Sequence, residues 1–97
     1  MIQPTQVISI LTTLKPHLTG QYHIRRLGLF GSIIKGDISE HSDIDILVEF
    51  EEPPSIFGFL DLEEELTDAL QNRVDLVDID GLKPILRPNI LAEVQYV

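Results

Sequence analysis

Three acids and one turn carry the residue types that could do chemistry. Asp43 and Asp45 stand two residues apart in a strand-like run, and Gly31 and Ser32 lie ten residues upstream. Two side chains at i and i+2 of a strand project from the same face, ~6.6 Å apart along the chain. A third acid, Asp75, lies between Val74 and Leu76 in another apolar run, so a neighbouring strand can bring it beside the pair. Each close pair of unscreened carboxylates at ~4 Å costs ~4 kcal/mol at an effective dielectric of ~20, so a cation should offset the repulsion. Hard oxygen ligands with no Cys or His among them favour Mg²⁺ or Mn²⁺, held jointly with substrate phosphates.

The turn points to phosphate. A strand that ends in Gly31-Ser32 and enters a helical turn aims backbone N–H groups and a hydroxyl at one spot, where anions bind. Gly31 allows close backbone approach, Ser32 can donate a hydrogen bond to a phosphate oxygen, and Lys35 adds a positive charge. An isolated Asp-x-Asp or Gly-Ser is more often a solvated strand edge or an ordinary turn. Their combination with Asp75 is what singles them out.

The elements that must position these groups follow from periodicity. Val7, Ile10, Leu11, Leu14 and Leu18 recur at helical spacing, with Thr5 as N-cap and Pro16 expected to kink or end the helix near Lys15. Residues 24–30 read as a strand, residues 33–35 as a helical turn, and residues 43–50 as an alternating strand. In that second strand Ile44, Ile46, Val48 and Phe50 should face the core, and Asp43, Asp45, Leu47 and Glu49 the opposite side. Ser55 should cap a helix over 56–70 whose stripe is Phe59, Leu62, Leu66 and either Ala69 or Leu70. Residues 73–78 read as a third strand, residues 82–93 as a helical stretch broken by Pro84 and Pro88, and residues 94–97 as a short edge strand. The strands flanking the 56–70 helix can pair in parallel through a right-handed crossover, and the first two strands should pair antiparallel. The expected fold class is α+β: one domain over residues 1–97, with a small mixed sheet and helices on one face.

Composition narrows the partners. Seven Lys and Arg stand against 16 Asp and Glu, for a net charge of −9, so free nucleic acid is a poor partner and a basic protein surface or a metal a better one. A chain of 97 residues buries ~65% of its unfolded surface, and 43% hydrophobic residues suffice for that core. The absence of Cys excludes disulfides and thiolate metal sites. No signal peptide or membrane span is evident, so the expected location is the cytoplasm. His17, His23 and His41 lack metal-ligand spacing and read as surface or loop residues. Arg25 and Arg26 read as solvated, and Asp78 and Asp80 as turn and cap residues.

Taken together, Gly31-Ser32, ten intervening residues and Asp43-Ile44-Asp45 resemble the signature of the DNA polymerase β-like nucleotidyltransferase superfamily. The short length, the run from Ser42 to Val48, the Val74 to Val77 segment and the tail from Leu82 onward are similar to its minimal nucleotidyltransferase (MNT) branch. The resemblance implies a polymerase β-like fold and Mg²⁺-dependent transfer of a nucleoside monophosphate from a triphosphate, with two ions. It assigns metal binding to Asp43 and Asp45. Asp75 would share a metal and activate the acceptor hydroxyl, and Gly31 and Ser32 would hold the β,γ-phosphates. Many MNT proteins are antitoxins that use ATP to adenylylate a tyrosine on a HEPN-type RNase toxin. The resemblance therefore implies ATP as substrate, a HEPN toxin as partner in a hetero-oligomer, and a type VII-like antitoxin. Two alternatives remain: a non-catalytic antitoxin that masks its toxin, and nucleotidyl transfer to a small molecule. Relatives often carry arginine after Gly-Ser, where this chain has Ile33, Ile34 and then Lys35.

Overall fold

The computed structural model describes residues 2–37 and 42–97, and His41 lies outside them. The chain runs α1 (Pro4–Tyr22), β1 (Ile24–Phe30), α2 (Ser32–Lys35), β2 (Ile44–Phe50), α3 (Ile56–Leu70), β3 (Val74–Asp78), a 3-10 turn (Ile79–Gly81), α4 (Arg87–Glu93) and β4 (Gln95–Tyr96). The four strands form one sheet in the order β3-β2-β1-β4. β1 pairs antiparallel with β2 and with β4, and β2 pairs parallel with β3 across the α3 crossover, as the alternation and the intervening helix predict.

The main core lies on one face of the sheet. Ile44, Ile46, Val48 and Phe50 of β2 pack there with Val7, Leu11 and Leu18 of α1 and Leu62, Leu66 and Leu70 of α3. Ile33, 1% exposed, and Ile34 anchor α2 on the same core. The opposite face is covered too, which corrects the one-face expectation. Leu47 and Phe30 pack there with Ile79, and Val77, Leu82, Ile90 and Val94 close over them. Leu47 is 1% exposed although it shares the outward alternation of Asp45 and Glu49. The 3-10 turn and α4 fold back over that face and bury it.

Two helix boundaries depart from expectation. α1 starts at Pro4, with Gln6 Oε1 accepting the Gln3 N–H at 2.8 Å, so Thr5 is inside the helix and is not its cap. The helix also passes through Pro16 and ends at Tyr22. A proline in a helix interior costs ~3 kcal/mol, but Leu18 and Tyr22 beyond it are buried. The Tyr22 hydroxyl also donates to Glu65 Oε2 at 2.7 Å. Burying a large apolar side chain gains ~1.5–3 kcal/mol, so those last turns offset the proline. α3 begins as predicted, with Ser55 Oγ accepting the Gly58 N–H at 3.1 Å. Among the described residues no helix is long and apolar enough to cross a membrane.

Candidate active site

The register of the sheet assembles the site. Asp45 lies near the start of β2, opposite Phe30 at the end of β1 on one side and opposite Asp75 of β3 on the other. The residue after Phe30 is Gly31, so the glycine-serine turn rises directly beside Asp45. Alternation puts Asp45 and Asp75 on the face that carries Leu47 and Val77, the face under α4. Asp43 immediately precedes β2.

Gly31 has φ 78° and ψ −149°, a conformation that residues with a Cβ rarely adopt. The Asp45 carboxylate occupies the space a side chain at Gly31 would need: an added Cβ would overlap Asp45 Oδ2. The Ser32 backbone N–H donates to the Asp45 carboxylate. The turn therefore cradles an aspartate, through the Ser32 N–H and the open space at Gly31. Lys35 ends α2, and the Gly36 N–H closes the turn onto the Ser32 carbonyl.

Asp45 is half-buried, and its pKa is pushed up to about 6. Burial is the main cause, followed by repulsion from Asp75 and Asp43; Glu93 adds to it, and the Ser32 N–H opposes it. Burial and two neighbouring carboxylates thus act in the same direction on Asp45. Asp43 Oδ1 meets Arg73 Nε at 3.4 Å, and Asp75 is exposed beside Asp45. Among the described residues no three carboxylate or imidazole groups already converge as a metal cage. The donor set still fits a hard divalent cation: oxygen ligands only, with one of them destabilised as an anion by its neighbours.

Two residues of this region were not singled out from the sequence. Glu93 of α4 accepts the Gly31 N–H through Oε1 at 3.0 Å and pairs with Lys35 Nζ through Oε2 at 3.3 Å. Arg73 reaches Asp43 from the start of β3. A signal for Glu93 exists: it lies one turn after Ile90 on the same helix face, an acid where an apolar residue packs inward. The remaining assignments stay peripheral. His17 contacts Glu65 at 2.8 Å between α1 and α3, and His23 caps α1 in the left-handed region. Arg26 pairs with Glu49 at 2.9 Å and lies over the Tyr96 ring. Asp78 Oδ1 accepts the Asp80 N–H as a cap.

Comparison with known proteins gives the family to which this fold belongs. The profile of the family described as "Polymerase beta, Nucleotidyltransferase" matches residues 12–97. The chain belongs to this family. Protein adenylyltransferase MntA of Thermococcus cleftensis is 44% identical over 97 residues, covering 100% of this chain and 98% of its own. A solved structure described as that of a candidate minimal nucleotidyltransferase superposes with a TM-score of 0.74 at 33% identity, covering 94% of this chain and 88% of that one. A solved toxin–antitoxin structure with AMP-PNP superposes at 0.71 and 25% identity, covering 98% of this chain and 72% of that one. This nucleotidyltransferase thus carries the mixed four-stranded sheet of its family.

Proposed function

We propose that this nucleotidyltransferase transfers AMP from ATP to a tyrosine hydroxyl of a HEPN-type toxin with which it forms a hetero-oligomer, and so acts as an antitoxin. The observation that carries the reading is Asp45, cradled by Gly31 and Ser32 and in register with Asp75. The Thermococcus relative is named a protein adenylyltransferase, and a toxin–antitoxin structure with AMP-PNP shares the fold; both support a protein acceptor and an adenine nucleotide.

In this reading Asp43, Asp45 and Asp75 would hold Mg²⁺, which when bound neutralises the triphosphate and the departing pyrophosphate. The chain's own groups do the rest. The Ser32 N–H orients Asp45, and the Ser32 hydroxyl and the Lys35 ammonium would receive the β,γ-phosphates. The exposed Asp75 accepts the proton of the acceptor hydroxyl. The hydroxyl oxygen bonds to the α-phosphorus, the bond from that phosphorus to the α,β-bridging oxygen breaks, and pyrophosphate leaves.

The test is labelling of a purified HEPN partner by this protein with Mg²⁺ and radiolabelled ATP, with intact-mass detection of one added AMP unit. Asp43→Ala combined with Asp45→Ala should abolish labelling. If the double variant labels normally, the site is misassigned. If it cannot label yet still protects cells from the toxin, masking by binding is the function.

A further inference from the structure

Glu93 divides its carboxylate between two parts of the phosphate-facing turn. Oε1 accepts the Gly31 N–H at 3.0 Å and Oε2 meets Lys35 Nζ at 3.3 Å. The next N–H along the chain, that of Ser32, donates to Asp45. A continuous path therefore runs from α4 through Gly31 and Ser32 to the Asp45 carboxylate. We infer that Glu93 is a positioning residue for the nucleotidyl-transfer site, holding the Gly31-Ser32 turn so that it fixes the orientation of Asp45.

Three features of the fold make this more than a tie between surface elements. Gly31 is at φ 78°, and glycine is the residue with the most backbone freedom, so an acceptor on its N–H narrows the conformations open to it. α2 spans only Ser32–Lys35; Ile33 and Ile34 hold it on the core, and Glu93 holds the Gly31 end before it. α4 buries none of its residues fully; Ile90 and Val94 are only partly covered. A charge-assisted hydrogen bond to Gly31 thus joins that packing and the β4 pairing in seating the end of α4 against the turn. Lys35 offsets the negative charge that Glu93 brings close to the aspartates.

The inference rests on the proposed role of Asp45 as a metal ligand, and the test separates the two. Mn²⁺ binding in the presence of AMP-PNP is measured by electron paramagnetic resonance of the free ion in wild type, Glu93→Ala, Glu93→Asp and Glu93→Gln. Glutamine keeps an acceptor oxygen at the same reach, aspartate keeps the charge but is one methylene too short, and alanine keeps neither. Outer partners that orient metal ligands are typically worth 10–100-fold in affinity. The alanine and aspartate variants should bind Mn²⁺ about tenfold or more weakly, and glutamine should stay within about threefold of wild type. If aspartate binds as wild type does, or glutamine binds as poorly as aspartate, the inference falls. Circular dichroism checks folding; should the alanine variant not fold, the aspartate–glutamine comparison decides. If wild type itself binds no Mn²⁺, the metal reading fails, and amide exchange at Gly31 and Ser32 in the metal-free protein decides instead. Faster exchange at both amides in Glu93→Asp than in Glu93→Gln upholds the positioning role, and equal exchange overturns it.

Discussion

The Asp45 carboxylate rests against Gly31 in the volume that a side chain there would fill, and an added Cβ would overlap its Oδ2. Gly31 is therefore required twice, once for its backbone angle and once for the space above it. Gly31→Ala should lose adenylyl transfer almost entirely, because the carboxylate must swing away or the turn must rebuild. Forcing a non-glycine residue into such backbone costs ~1–3 kcal/mol, so the melting temperature should also fall by several degrees. Ser32→Ala, which keeps the backbone N–H to Asp45, should retain that thermal stability. A transfer assay and a thermal melt on both variants check this; an active Gly31→Ala protein would mean that the contact does not matter.

Asp45 should be a residue that the protein keeps at a cost to its stability. Its folded pKa, about 6, lies above the ordinary carboxylate value. The folded state thus binds this proton more tightly than the unfolded state does. Its contribution is fully present below about pH 4 and is lost as pH rises through about 6. Asp45→Asn should therefore raise the melting temperature of the metal-free protein at pH 7.5. After discounting for partial exposure, the gain is on the order of 1 kcal/mol, or ~4–8 °C for a domain of this size. The difference between variant and wild type should vanish near pH 4. Mg²⁺ should stabilise the wild type and leave the variant unmoved. Melts across pH with and without Mg²⁺ test the sign; a less stable asparagine variant at pH 7.5 contradicts it.

The parts of this site that sequence could reveal are those set by local geometry. Period-two alternation puts Asp45 on the side of β2 opposite Ile44 and Ile46, with Asp43 just before the strand, and the helix over 56–70 demands a parallel crossover that brings Asp75 alongside. Gly31-Ser32 is legible because a strand-to-helix turn has few solutions. Glu93 is not, because it meets Gly31 from 62 residues away and only after α4 has folded over the second face of the sheet. The same folding-back buries Leu47, which alternation alone assigns to the aspartate side. Pro16 misleads for a related reason: the local cost of a proline is visible in sequence, whereas the burial of Leu18 and Tyr22 that outweighs it is not.

Gly28 should matter for the same docking. A Cβ there would lie 2.7 Å from Val94 Cγ2 and 2.9 Å from the Gln95 carbonyl oxygen, where β4 pairs with β1. A backbone carbonyl gives way less readily than a side chain, so Gly28→Ala should push β4 and the end of α4 outward. Overpacking of this kind costs ~1–3 kcal/mol. Glu93 immediately precedes Val94, so the displacement should also loosen the Gly31 contact and lower the rate of transfer at saturating ATP. Thermal melts and steady-state kinetics check both; wild-type kinetics in a clearly destabilised Gly28→Ala protein would disconnect α4 from the site.

Arg73 sets up an exchange of partners at Asp43. Its Nε is 3.4 Å from Asp43 Oδ1, and its side chain is 84% exposed. Exposed pairs of this kind contribute ~0–1 kcal/mol, so Arg73→Ala should leave the melting temperature almost unchanged. A divalent cation that uses Asp43 must compete with the guanidinium for the same carboxylate. The alanine variant should therefore reach half-maximal activity at the same or a lower Mg²⁺ concentration, and high salt should narrow the difference by screening the pair. Magnesium titrations of wild type and variant at two salt concentrations read this directly. A strongly raised Mg²⁺ requirement would instead show that Arg73 holds Asp43 in the geometry the metal needs, making it a support of the site and not a competitor for it.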